Sequence, residues 1–203
     1  MNEIANKLAD RAERKSRKRE EKRRQIAASA IEALTQLGYA NTSMRDIASV
    51  SDMSLGMLSY YFGDKSDLII YCVTNYKSDF VRASEAAISV EGDRETVLDT
   101  LVSGFAATIK TDAASHRLWY DIRTQAMFDD LFHAPVRQIE ASLVGVVEHL
   151  HARLGVGDGA NPIADYAAID GLFRYWIQDD ARPAGATEAE IKASFRHLID
   201  RLW

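Results

Sequence analysis

Proline is scarce in this chain: the three it has are Pro135, Pro162 and Pro183. A proline inside a helix removes an amide donor and clashes with the preceding turn, so long proline-free runs let helices continue. Along those runs apolar residues recur at three- and four-residue spacing. No stretch sustains the two-residue alternation of a half-buried strand. The chain therefore reads as nearly all helix. Its 203 residues, 47% of them apolar, suit one large domain or a small domain joined to a larger one, with a sizeable core.

No run reaches the roughly 18 apolar residues that a membrane span needs. The segment from Glu3 to Arg24 is charged and lacks the apolar stretch of an export signal. Cys72 is the lone cysteine, which leaves no internal disulfide and fits a reducing compartment. A cytoplasmic protein with no membrane partner is the expectation.

Net charge is -5, which taken alone argues against a polyanionic partner. Its distribution argues the other way. Residues 1–65 hold 12 Lys/Arg against 9 Asp/Glu, and residues 66–203 hold 13 against 21. The first 24 residues alone hold 10 basic and 5 acidic side chains. This is a basic head on an acidic body, although a solvated, charge-laced helix end would give the same arm.

The spacing predicts a first helix from within the basic arm to Leu37, burying Ile26, Ala30, Ala33, Leu34 and Leu37. Gly38 fits the left-handed position past its end, with Tyr39 packing back on Leu34. Ser43 suits the N-cap of a short helix over 44–50, with Asp46 near its positive end. Ser51, Asp52 and Met53 make a turn, and Ser54 caps a second short helix over 55–60. Gly63 and Asp64 then break the chain before a long helix from Lys65 to Ile88. Further helices are expected over 93–110, 112–128, 130–154, 162–179 and 187–202. Loops rich in Gly, Asp and Pro separate them at 89–92, 155–161 and 180–186.

Two short capped helices joined by three turn residues outline a helix-turn-helix. In that motif the second helix enters the major groove and the first braces it. Ile47, Ala48, Val50, Met53, Leu58 and Phe62 are the expected miniature core, with Ala48 and Gly56 small enough for close helix approach.

The ordered series Arg24–Ile26, Gly38–Tyr39, Thr42–Ala48, Ser54–Phe62 and Lys65–Leu68 resembles the DNA-binding domain of TetR-family transcriptional regulators. The resemblance implies an all-α fold of about nine helices: a basic arm over 1–24, a three-helix DNA-binding domain over 25–65, and a helical bundle over 66–203 for effector binding and dimerisation. It implies a ligand-responsive repressor that binds a palindromic operator as a dimer. Thr42, Ser43 and Ser54 stand at helix N-termini, where hydroxyls and free amides suit phosphate oxygens. Tyr60, Tyr61 and Lys65 are phosphate candidates, and Arg45 is a backbone or base-edge candidate. Leu55, Gly56, Met57 and Ser59 would face the groove floor, with apolar contact to thymine methyls and a hydrogen bond from Ser59. Asp52 stands where most relatives have glycine, Ser59 where many have tyrosine, and Leu55 where many have a polar residue. The arm would reach a minor groove, track the backbone, or add only nonspecific attraction.

In the second half the resemblance is weaker. Tyr61–Lys65 and Asp170-Gly171-Leu172 are similar to the choline-responsive BetI-type subgroup. The last two helices would pair with their copies through residues among Ala167, Leu172, Tyr175, Phe195, Leu198, Ile199 and Leu202. The many aromatics there are first of all core. The functional alternative is a small-molecule pocket walled by Phe105, Trp119, Tyr120, Arg123, Met127 and Phe173, beside Asp170. Trp119 and Phe173 would suit a quaternary ammonium, whereas Arg123 would suit a carboxylate, so ligand charge stays open.

Two rival readings are weighed. An enzyme would need a phosphate loop, a nucleophile elbow or a His-Glu-x-x-His pair, and none is found. His149 and His151 point to different helix faces, while His116, His133 and His197 read as isolated surface or interface residues. No cofactor or metal is expected, and Cys72 reads as a buried thiol. The other rival is a helical effector-binding or protein-interaction module with a degenerate DNA head. The retained Thr42, Ser54, Tyr60 and Lys65 count against it.

Overall fold

The computed structural model describes residues 2–37, 42–157, 159–179 and 185–203. Among these residues the elements are nine helices and no strand: α1 (Asn2–Leu37), α2 (Met44–Val50), α3 (Leu55–Tyr61), α4 (Lys65–Ile88), α5 (Arg94–Thr111), α6 (Ala113–Gln125), α7 (Asp130–Leu154), α8 (Pro162–Asp179) and α9 (Glu188–Leu202). The basic arm is thus part of α1. The stop expected at Gly38 and Tyr39 lies outside the described residues. The chain divides into two compact units, Met1–Asn75 and Tyr76–Trp203.

In the first unit, local chemistry sets each short helix. Ser43 accepts the Asp46 amide, and the Asp46 carboxylate in return accepts the Ser43 amide at 2.8 Å. These bonds from Ser43 hold the exposed Asp46 carboxyl below its ordinary pKa. Ser54 accepts the Met57 amide at 3.1 Å, and Asp64 accepts the Asp67 amide at 2.8 Å at the start of α4. Such caps satisfy donors that a helix start otherwise leaves open. Asp52 carries the turn with φ 49°, in the left-handed region that aspartate tolerates better than most side chains.

The core of this unit takes Ile26, Ala30, Ala33 and Leu34 from α1, Ile47 and Ala48 from α2, Leu58 from α3, and Phe62, Leu68, Ile69 and Cys72 beyond it. Val50 departs from the expected core: it is exposed, because α2 turns only its Ile47–Ala48 side inward. Gly56 departs as well. It is exposed, and a Cβ built on it meets nothing within 4 Å, so no helix among the described residues uses its small size. A polar clasp closes the unit. Arg23 lies over the rings of Phe62 and Tyr71 at 4.7 and 4.3 Å and pairs with Asp67 at 3.4 Å. Tyr71 donates to Glu20 at 2.6 Å. Cys72 is buried, and burial pushes its thiol up to about 12.

The second unit is a helical bundle around an aromatic centre. Phe105, Phe173 and Phe195 form a mutual cluster with ring centroids 5.1 to 5.3 Å apart. Phe80 stacks on Phe105 at 6.0 Å. Around them pack Val97, Leu98, Leu101 and Val102 of α5, Val146, Val147 and Leu150 of α7, and Ile191 and Ile199 of α9. Gly155 ends α7 at φ 65°, the left-handed cap that glycine adopts without a Cβ clash. His116 corrects the expectation of a surface histidine. It is wholly buried and touches Phe80 and Phe173, and burial, then the charge of Lys77, pushes it down to about 2. Its place on the Ala113–Trp119–Ile122 side of α6 is the cause.

A contrast across α3 tests which face is buried. Leu58→Ala is expected to cost about 2–5 kcal/mol of stability in chemical denaturation. Leu55→Ala, on the exposed side of the same helix, should change it by less than about 0.5 kcal/mol. Equal losses would mean the helix is seated differently.

Candidate functional site

The first unit presents α3 with one side anchored and the other open. Leu58 is fully buried, while Ser54, Leu55, Gly56, Met57, Ser59 and Tyr60 are exposed. Tyr60 is 68% exposed and meets Tyr61 edge-on at 5.0 Å. Tyr61 and Lys65 are half-buried beside them, and Ser43, the N-cap of α2, and Arg45 within it are exposed. An exposed Leu and Met beside hydroxyls and a glycine make a face with both apolar and hydrogen-bonding reach. That mixture matches what base edges display in a major groove. Thr42 departs from the expected set: at 3% exposure it has little surface to offer an external phosphate.

Along α1 the charge is one-sided. At about 3.6 residues per turn, Arg11, Arg14, Lys15, Lys18 and Lys22 share a face. Glu13 and Glu20 lie opposite, where they sit 4.0 Å from Arg17 and Arg24. Arg11, Arg14, Lys15 and Lys18 have no acidic partner among the described residues and border a common groove with Arg17 and Glu21.

The second unit contains a small apolar cavity of about 50 Å³. Phe80, Leu101, Phe105, Leu143, Val146, Val147, Leu150, Ile169 and Phe173 wall it, and Lys77, Ser84, Tyr120, Tyr166 and Asp170 are its polar lining. Asp170 is held from two sides: Tyr120 donates to its Oδ1 at 3.0 Å, and Arg123 pairs with its Oδ2. Arg123 also pairs with Glu140 at 2.6 Å. Lys77 is 4% exposed and lies over the rings of Phe80, Trp119 and Tyr76 at 5.0, 5.2 and 5.5 Å. Burial lowers its pKa to about 7 against the opposing field of Asp170, and Arg123 lowers it further. Among the described residues no group of three or more metal-ligating side chains occurs.

Residues 26–72, which span the anchored helices, match the model of the bacterial regulatory proteins of the tetR family. Over these residues the chain is similar to the TetR family. It is 24% identical over 187 residues to the HTH-type transcriptional regulator BetI 2 of Chromohalobacter salexigens, covering 89% of this chain and 88% of the relative. It is 23% identical over 160 residues to the HTH-type transcriptional regulator BetI of Burkholderia lata, covering 76% and 81%. In fold it resembles the transcriptional regulator FadR of Bacillus subtilis, whose crystal structure is a complex with stearoyl-CoA. That likeness has TM-score 0.67 and 17% identity, over 88% of this chain and 96% of that one. These matches support a DNA-binding transcriptional regulator.

The cavity differs from the expected pocket in three ways. Met127 is 73% exposed, because α6 ends at Gln125 and the following turn carries Met127 and Phe128 outward. Trp119 is wholly buried and already faces a cation, the ammonium of Lys77. Lys77, Phe80 and Tyr166 were not among the expected residues. The available signal was register: Ile69, Val73, Lys77, Phe80, Ser84 and Ile88 follow one stripe of α4 at helical spacing. Phe105, Tyr120, Asp170 and Phe173 do come together around the cavity, and Arg123 reaches it through Asp170.

Lys77 gives a pH test. It loses its proton near pH 7 in the folded chain and near 10.5 when unfolded. Between these values the unfolded state binds more protons, so stability rises with pH by up to ~1.4 kcal/mol per unit. The titratable and charged groups around it are Tyr76, His116, Arg123 and Asp170. Lys77→Met removes this titration. The stability difference between variant and wild type should favour the variant most at pH 7 and shrink by ~1 kcal/mol per unit up to pH 9.5. A flat difference would mean that Lys77 keeps its charge throughout.

Proposed function

We propose that two copies of the chain bind a palindromic operator, with α3 of each in the major groove, and that a small molecule in the second unit shifts this binding. The observation carrying the reading is the open side of α3. Leu55, Gly56, Met57, Ser59 and Tyr60 are exposed on a helix held by Leu58. Among the described residues nothing lies within 4 Å of where a Gly56 Cβ would stand. Leu55, Gly56, Met57 and Ser59 face the bases. Ser43, Arg45, Ser54 and Lys65 meet the backbone at helix starts, where amides and hydroxyls suit phosphate, and Tyr60 and Tyr61 meet it from the end of α3. Thr42 supports the position of α2 from inside.

The dimer forms through α8 and α9. Ala168, Gly171, Leu172 and Tyr175 of α8 and Ala193, His197, Leu198 and Arg201 of α9 border one open groove on these helices. Phe195 and Ile199 take no part, because both are wholly buried in their own unit. Half-sites about 34–36 Å apart, or multiples of that turn, follow from two-fold symmetry. The BetI relatives support a place beside that subgroup, and repression follows from occupying the promoter.

Because the arm is helical, it tracks the phosphate backbone; threading a minor groove would need extended chain. The first experiment is binding of the purified protein to the DNA upstream of its own gene against a scrambled duplex, across salt concentrations. A preference for a palindrome supports the reading, and equal binding to palindromes and to random duplexes counts against it. Gly56→Leu should keep or raise stability, since leucine favours helix by up to ~1 kcal/mol over glycine. It should weaken operator binding by about tenfold or more through crowding at the groove; unchanged affinity would place α3 elsewhere. Replacing Arg11, Arg14, Lys15 and Lys18 by Gln should flatten the log-log salt slope by about 0.9 for each side chain seated on a phosphate. An unaltered slope would put the arm off the DNA.

A further inference from the structure

Lys77 lines the cavity at 4% exposure, and among the described residues it has neither a hydrogen bond nor an ion pair. Three ring faces surround its ammonium, at 5.0 to 5.5 Å. Rings attract a cation but do not replace the acceptors that three N–H donors seek. The cavity's one carboxylate is already engaged, since Asp170 receives Tyr120 and Arg123. Tyr166 lines the same cavity, and its hydroxyl is buried without a partner. Apart from the Ser84 hydroxyl, the rest of the wall is aliphatic or aromatic.

An unpartnered cation and an unpartnered hydroxyl in a mainly apolar cavity define the chemistry that would satisfy both. A ligand doing so must bring negative charge and acceptor oxygens, and its remainder must be apolar. A charge-assisted bond formed out of water is about twice as strong as a neutral one, and an unpaired buried charge is costly. A quaternary ammonium fits badly. It offers no acceptor and meets like charge at Lys77, while Trp119, the ring that would hold it, already faces Lys77. A neutral alcohol supplies an acceptor without the charge.

We infer that the effector is a carboxylic acid with an apolar body, its carboxylate seated on Lys77 and Tyr166. This rests on the effector-cavity reading proposed above. It chooses between the two ligand charges that Arg123 and the aromatics leave open in the sequence.

Calorimetric titration and thermal shift of the full chain test it with five probes. These are octanoate and 3-phenylpropanoate, the matched alcohols 1-octanol and 3-phenylpropanol, and octyltrimethylammonium. The acids are expected to bind at least about tenfold tighter than their alcohols, as bonds to charged groups imply. Lys77→Met should erase that preference and leave the alcohols within about twofold of wild type, and Tyr166→Phe should weaken the acids a few-fold. Circular dichroism checks each variant, and Lys77→Gln supplies the same comparison if the methionine variant does not fold. Acids no tighter than alcohols, an ammonium probe that binds best, or an acid preference that survives Lys77→Met would each overturn the assignment while the cavity reading stands. If none of the five probes binds wild type, the cavity reading fails and this inference fails with it.

Discussion

A seven-residue helix cannot hold itself in water. Nucleation is unfavourable, and isolated helices below about 12 residues are marginal even with good sequences. Both α2 and α3 have seven residues. Their existence depends on burying Ile47, Ala48 and Leu58 against α1 and on the serine caps that satisfy their first amides. The exposed side of α3 is available for recognition because the opposite side is fully committed. The same logic explains the clasp of Arg23 with Phe62, Tyr71 and Asp67, which fixes the chain where α3 gives way to α4.

The second unit is organised by the opposite problem. Its centre is apolar enough to keep His116 neutral, yet it admits Lys77, Asp170 and Arg123. The acid is neutralised by the arginine and a tyrosine hydroxyl, which leaves the lysine with rings for company. Buried charge without a hydrogen-bonded partner lowers stability, and such groups cluster where proteins bind or react. The low pKa of Lys77 and the unpartnered Tyr166 hydroxyl therefore report one condition, an apolar cavity with polar groups left over.

Much of this was legible in the residues. Ser43, Ser54 and Asp64 are local signals that act within a turn of where they stand, so α2, α3 and α4 begin where the caps place them. The periodic stripes placed α7 and α8 equally well. The cavity was less legible because its members come from distant parts of the chain. Met127 was misplaced by extending α6 three residues too far, beyond its end at Gln125. Lys77 and His116 were passed over because their residue types usually face water, although both lie on apolar stripes. Thr42 and Val50 show the same limit: composition tells which side chains could be buried, and packing decides which are.

The length of α1 has a consequence of its own. At about 1.5 Å per residue, a helix of 36 residues is a rod of about 54 Å. One DNA turn is only about 34 Å. A rod of that length reaches well past the base pairs that a seven-residue reading helix touches. If its basic face lies along phosphates, the stretch of DNA shielded from a nuclease would be longer than the stretch whose sequence matters. Neighbouring promoters would then compete for space on the duplex before they compete for bases.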